Sequence, residues 1–410
     1  MRVQLALERM IHGGLALARM PDGQVALVRG GLPGEVVEAE LAAKKGVLQG
    51  RVAAVLEASP DRVSASAHPG LDYGFIRYER QLALKREVVG DALVRARAPA
   101  LDLPPVTPSP ERWGYRNTVQ PVARGGALGY RAPESHDFVA LAEDPTANDA
   151  IAALWRRWGT LAAPKGVREL VLRGNARGEL LAAFIASASA RSLLPFAHAL
   201  LAAGVLGVAY APLDPRGRFR SGSERLAGAR SILERYGRFE LSVSAQGFAQ
   251  PNPGAASLLY ERLIALAPGG AHALDLYAGS GVIGMHLLAK YGRVSALEID
   301  RASVVRGERD AARLGLAGLA FVRADARDLR IPEDADLVSV DPPRAGLSQG
   351  VRAAIDGSSV PALLYAACDV TTWARDLADF AGRGWRVTSA EAFDFYPHTH
   401  HLELLALLER

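Results

Sequence analysis

Asp275-Leu-Tyr-Ala-Gly-Ser-Gly281 decides the fold of this 410-residue chain. It ends a short apolar run, Ala273–Tyr277, and turns through two glycines into the helical stretch Val282–Lys290. Glycine at such a strand-to-helix turn lets the backbone approach a ligand closely. Gly279, Gly281 and Gly284 follow the Gly-x-Gly-x-x-Gly spacing of dinucleotide enzymes, but an acid, Asp275, precedes the turn. Glu298 closes the next apolar run, Val294–Glu298, where a carboxylate can accept both hydroxyls of a ribose. Together these favour a ligand carrying an adenosine ribose over one dominated by a pyrophosphate. An exposed strand-end acid is the plain alternative for Glu298.

Outward from that turn, strand and helix alternate. A helix is expected over Arg301–Leu314 and strands over Leu319–Arg323, Asp336–Val340 and Leu363–Ala367. Trp385–Ala392 and Leu402–Leu408 close the chain as two strands with no room for a helix between them. The expectation is an α/β fold, a parallel sheet ending in an antiparallel strand, as in Rossmann-like nucleoside-cofactor enzymes of the class I methyltransferase kind. In open α/β sheets ligands bind outside the carboxyl ends of the strands.

Three chemistries should therefore meet at one edge. Asp341-Pro-Pro-Arg344 follows a strand, and its prolines fix the direction of a carboxylate able to accept hydrogen bonds from a base or an amino group. Cys368, the only cysteine, ends the apolar run from Pro361 and is placed as a nucleophile, although a free cysteine is also an ordinary small hydrophobe. Glu403 enters an apolar strand, where burial would raise its pKa towards that of a general base; an edge glutamate pointing to water is the alternative. Asp325, after the third strand, is in reach of an adenine edge or is a plain surface acid. His398, His400 and His401 would be splayed onto opposite faces by a strand's alternation, so no metal site is expected.

The front of the chain is different in kind. Gln24–Arg29, Glu35–Glu40 and Leu48–Leu56 are β-like runs broken by glycine turns, the pattern of a small OB-like β-barrel. Arg77–Val94 has helical spacing, Ala98–Pro110 is a proline-rich connector, and residues 151–205 read as two helices around the strand Glu169–Arg173. Trp113-Gly-Tyr-Arg-Asn117 and Pro215-Arg-Gly-Arg-Phe-Arg220 set aromatic rings beside guanidinium groups, which suits unpaired bases and phosphates but also ordinary surface loops. Residues 1–240 carry 32 Lys/Arg against 24 Asp/Glu, and residues 241–410 carry 16 against 20. A basic front on a mildly acidic back fits a polyanion-binding region joined to a catalytic domain. One cysteine excludes an intramolecular disulfide and a cysteine-built zinc or iron–sulfur centre. With charges early in Met1–Arg9 and no membrane-length apolar run, a cytoplasmic protein without a membrane partner is expected.

These motifs together resemble the RNA 5-methyluridine (uracil-C5) methyltransferases, an S-adenosylmethionine-dependent family acting on tRNA and ribosomal RNA. Residues 1–62 resemble its TRAM domain through Gly31–Glu35 and Ser59–Val63, and Tyr78–Leu82 and Gly114–Asn117 resemble its central RNA-binding domain. Phe248–Asn252, Asp275–Gly281, Asp341–Gly346, Cys368 with Ala374–Asp376, and Pro397–Glu403 resemble the ordered signature of its catalytic domain. The resemblance implies domains over 1–62, 63–240 and 241–410, Cys368 as nucleophile and Glu403 as base. It also implies Gln250, Tyr277, Glu298, Asp325 and Asp341 as contacts of S-adenosylmethionine, beside the Gly279 turn. Three departures stand out. Many members bind an iron–sulfur cluster through four central cysteines, where this chain has none and shows Asp144-Pro145; the cysteine context is Ala367-Cys-Asp-Val370; and Val282 replaces a frequent asparagine. A cluster-free monomer acting on RNA is expected. An RNA N-methyltransferase in which Cys368 is incidental, and a non-catalytic RNA-binding relative, are the rival readings.

Overall fold

The computed structural model describes residues 1–161, 164, 166–213, 224–328 and 330–410. The chain divides into two compact units: residues 1–66, 71–109 and 259–410 form the first, residues 67–70 and 110–258 the second.

The first unit begins with β1 (Arg2–Ile11), β2 (Leu15–Arg19), β3 (Val25–Arg29), β4 (Val36–Lys44) and β5 (Val47–Glu57), closed into a barrel in the order β1-β2-β3-β5-β4. Two of these strands, β1 and β2, precede the runs that stood out in the sequence. β4 alternates half-buried and buried positions over its first six residues, as a barrel wall with one face inside demands. The helix α1 (Tyr78–Ala96) follows and ends at Arg97, in the left-handed region.

In the second unit, β6 (Thr118–Val119), β7 (Val122–Arg124), β8 (Ala127–Arg131), β9 (Phe138–Ala140), α2 (Asp149–Arg157), β10 (Val167–Gly174), β11 (Leu180–Ala186), α3 (Ala190–Ala202), β12 (Gly207–Pro212) and β13 (Glu224–Gly228) form one mixed sheet with its helices. A hairpin of β14 (Ile232–Tyr236) and β15 (Phe239–Val243) stands apart from that sheet. Residues 151–205 hold the two expected helices, α2 and α3, around β10, and also a second strand that the sequence did not single out: Leu180–Ala186 is buried at every position and paired with β10. Continuous apolar sequence does not separate a doubly covered strand from a buried helix. Pro215–Arg220 lies outside the described residues.

The chain returns through α4 (Pro253–Leu266) to β16 (Gly270–Leu276), α5 (Val282–Leu287), β17 (Tyr291–Glu298), α6 (Arg301–Arg313), β18 (Leu319–Arg323), β19 (Leu337–Val340), α7 (Gln349–Asp356), β20 (Ala362–Ala367), α8 (Val370–Gly382), β21 (Arg386–Phe393) and β22 (Glu403–Glu409). The sheet order is β18-β17-β16-β19-β20-β22-β21. The first five strands are mutually parallel, and β22 runs antiparallel to both of its neighbours, as expected from the sequence. β20 is buried at all six positions because the sheet is covered on both faces. Leu363, Leu364, Leu404, Leu405 and Leu408 are all fully buried. Each contributes about 1.5–3 kcal/mol by burial, and together they lock the β20–β22 register.

Candidate active site

That register builds the site. Ala367 pairs with Leu404, so one further step sets Cys368 opposite Glu403. Directly opposed residues on antiparallel strands hold their Cβ atoms about 5 Å apart on one face. Val340 neighbours Tyr365 on β20, which brings Asp341, the next residue of the β19 end, to the same edge. Leu276 pairs with Leu297 and with Val340, and Glu298 with Arg323. Tyr277, Glu298, Asp325, Asp341, Cys368 and Glu403 thus all lie along one edge of the sheet.

The electrostatics there are unusual. Glu403 is 4% exposed, and its carboxyl accepts no hydrogen bond among the described residues. Burial, then the charge of Asp341, pushes its pKa well above the ordinary carboxylate range, against a smaller opposing pull from Arg344. Burial raises Asp341 to about 7. The half-buried Cys368 thiol is pushed up to about 11, first by burial and then by Glu403 and Asp341, with Asp369 adding and Arg344 opposing. A buried acid whose pKa is raised is, once ionised, a stronger base than an ordinary surface carboxylate.

The other half of the edge suits a nucleoside. Glu298 accepts the amides of Gly279 (2.8 Å) and Asp300 (2.7 Å), which aims its carboxylate and leaves lone pairs for two hydroxyls. Asp275 takes the Gly284 amide at 2.8 Å on one oxygen, while the other is buried without a partner. Burial, with Asp341 and Glu298 adding, raises Asp275 to about 8. Tyr277 adopts φ 61°, a strained conformation for a non-glycine residue and one that recurs at functional sites. A Cβ on Gly279 would meet open space, so the positive φ of this turn, not crowding, accounts for the glycine. Asp325 differs: Arg327 clamps it through both oxygens, which lowers it to about 2. Gln250 belongs to the second unit, where its backbone carbonyl accepts the Tyr236 hydroxyl at 2.8 Å and its side-chain oxygen is buried without a partner.

Several supporting residues had no role assigned from the sequence. Buried Asp376 on α8 accepts the Tyr365 hydroxyl (2.7 Å), the Leu347 amide (2.8 Å) and Arg352 (2.9 Å), fixing the loop that follows Asp341. Gln81 and Lys85, four apart on α1, hold the segment before Glu403. Gln81 accepts the His398 amide at 2.8 Å, and Lys85 meets Asp394 at 2.6 Å with both side chains buried. Asp72 accepts the His400 amide at 3.0 Å and also bonds its ring. The sequence signals for these contacts were the motifs Tyr78–Leu82 and Ala374–Asp376, which contain Gln81 and Asp376, and the helical spacing of Gln81 and Lys85. The histidines also differ from expectation: they lie in the turn before β22, not on it, and the His400 and His401 rings sit 4.0 Å apart. Burial lowers His401 to about 3. Among the described residues no group of three ligating side chains could hold a metal ion. In the second unit, Tyr115 and Asn117 are buried and Trp113 is exposed, so the aromatic–arginine cluster is part scaffold, with Asn117 bonding Glu234 and Tyr236.

A five-stranded barrel, a mixed α+β segment and a seven-stranded sheet with a single reversed strand define a protein of the class I methyltransferase fold. Its relatives narrow this further. The sequence model of the tRNA (Uracil-5-)-methyltransferase family matches residues 232–410. An uncharacterized RNA methyltransferase of Thermosynechococcus vestitus is 31% identical over 439 residues, covering 99% of this chain and 97% of its own. Another, of Gloeobacter violaceus, is 30% identical over 446 residues, with 100% and 96% coverage. The Pyrococcus abyssi tRNA (uracil-54, C5)-methyltransferase, solved in complex with S-adenosyl-L-homocysteine, shares the fold with a TM-score of 0.82 at 21% identity, over 98% of this chain and 100% of that one. The chain belongs to the RNA methyltransferase family of these relatives, S-adenosylmethionine-dependent enzymes, and its residues 232–410 are similar to the tRNA (uracil-5-)-methyltransferases.

Proposed function

We propose that this protein methylates carbon 5 of a uridine in tRNA or ribosomal RNA through a covalent adduct between Cys368 and carbon 6 of the base. The observation that carries this reading is the pairing of β20 with β22, which brings the one thiol of the chain opposite a buried carboxyl. The family is named for tRNA, and so is the Pyrococcus abyssi enzyme that shares the fold, which supports tRNA as the first substrate to test.

Carbon 5 of uracil is a weak nucleophile. Addition of the Cys368 thiolate to carbon 6 moves electron density to carbon 5 as an enolate, which attacks the methyl group. S-adenosylmethionine supplies that methyl on a positively charged sulfur. Glu298 would hold its ribose, Asp275 or Asp341 its cationic end, and Tyr277, Gly279, Gln250 and Asp325 the remaining contacts. The partnerless oxygen of Asp275 and the amide-aimed Glu298 suit such a ligand. After transfer, Glu403 removes the carbon 5 proton, the carbon 6–sulfur bond breaks, and the thiolate leaves. The uridine must be unstacked to reach this edge, at a cost of about a few kcal/mol. The barrel and the central segment, acting as RNA-binding domains, would offset that cost.

The protein works on this reading as a cytoplasmic monomer without an iron–sulfur cluster. Among the described residues no helix is long and apolar enough to cross a membrane. The test is Cys368→Ala. It should abolish methyl transfer and the covalent complex with 5-fluorouridine RNA, and nucleoside mass spectrometry of tRNA and ribosomal RNA should show 5-methyluridine with the intact protein. Persistent turnover by the variant, or N-methylguanosine as the product, would overturn the assignment.

A further inference from the structure

The β1–β2 turn of the barrel reaches the nucleophile. His12 lies in that turn, and its Nε2 stands 3.5 Å from Oδ2 of Asp369, the residue after Cys368. The other oxygen of Asp369 is engaged: it caps α8 by accepting the amides of Thr371 (3.1 Å) and Thr372 (2.9 Å). The carboxylate is therefore anchored by one oxygen and faces His12 with the other. The turn itself is seated firmly. A Cβ on Gly14 would strike the Asp72 carboxylate and crowd the His400 ring. The His12 ring meets the His400 ring edge to face at 6.2 Å.

A carboxylate next to the thiol opposes its ionisation, and two more acids, Glu403 and Asp341, act the same way, leaving Arg344 as the opposing cation. We propose that His12 is a positioning residue of the catalytic pocket, acting on Cys368 through Asp369 by turning its Nε2–H edge to that carboxylate and drawing its charge away from the thiol. The barrel is then part of the catalytic apparatus as well as an RNA-binding module. Around His12 the charged and titratable groups are Asp369 on α8, His400 before β22 and Arg344 after β19. Burial first, then His400 and Arg344, lower its pKa against the pull of Asp369. At neutral pH the effect is therefore that of a neutral donor, and it strengthens as the pH falls. The inference rests on the covalent reading for its importance, but it can be tested without it.

Cys368 is the only thiol in the chain, so its ionisation is read directly from the pH dependence of alkylation by iodoacetamide in the full-length protein. His12→Ala should slow alkylation at pH 7.5 about threefold, equivalent to half a pKa unit. His12→Arg, which places a permanent charge there, should make it faster than in the unmodified protein. Asp369→Asn keeps the capping oxygen and removes the charge; in that background His12→Ala should change nothing and His12→Arg should have a smaller effect. Equal effects of His12→Ala in both backgrounds, or none in either, would overturn the proposal, because a structural role would not depend on the charge at Asp369. Circular dichroism of each variant shows whether it is folded, and the Arg variant remains decisive should the Ala variant unfold. Failure of the covalent reading itself would show separately, as methyl transfer by Cys368→Ala.

Discussion

Glu35 in the barrel and Glu403 in the catalytic sheet are buried to the same degree, 0% and 4% exposed, yet their pKa values move in opposite directions. Burial raises both. At Glu35 it is outweighed by Arg62, which grips the two oxygens at 2.6 and 2.7 Å, and by the amides of Leu32 and Ser59, so the carboxylate stays charged. Glu403 has no such donors, and its neighbour Asp341 adds a like charge. The second unit repeats the first pattern. Asp144 is buried, but His68, Tyr130 and Thr146 overcome the burial and lower it to about 2. Hydrogen-bond partners, more than depth, separate a buried carboxylate that stays charged from one whose pKa is raised.

The sharpest way to break this comparison is at the base. Glu403→Gln should cut turnover about 10³-fold, the weight of a positioned general base, while covalent RNA adduct accumulates on denaturing gels. It should not lower the melting temperature, because an amide costs less than a carboxyl to bury there. Glu35→Gln should do the reverse: it strands part of a buried pair and destabilises the protein by about 3 kcal/mol in denaturant titration. Asp144→Asn should cost about 2 kcal/mol at neutral pH. Asp144 has a lowered pKa, so its stabilisation is present above pH 3.8, and the gap to the variant should narrow as pH falls to about 2. The last effect has the opposite sign. Asp275, raised from 3.8 to about 8, is protonated in the folded but not the unfolded chain across that window, so stability falls as pH rises through it. Asp275→Asn should gain stability at pH 8 and nothing near pH 4, while weakening S-adenosylmethionine binding in calorimetry.

Much of the catalytic sheet was legible because its signals are local. The glycine turn after Asp275, the acid ending β17 and the helix-free link between β21 and β22 each depend on residues close in sequence. The strand Leu180–Ala186 was not singled out because alternation vanishes when both faces of a strand are covered. The histidines misled for a related reason. Counting from an apolar strand assigned them a pleat, whereas Asp72 and Gln81 hold them in a turn from more than 300 residues away.

Residue types and their order determined the strand-and-helix alternation, the barrel and the membership of the site, since propensity, turn chemistry and apolar period act over a few residues. Tertiary structure decided the rest: that Cys368 faces Glu403, that Arg62 grips one buried acid while Arg344 only weakly opposes the burial of another, and that a barrel turn reaches Asp369. Those are properties of strand register and of contacts between distant segments. A carboxyl group has the same formula in each place; its field and its solvent are supplied by neighbours that only folding assembles.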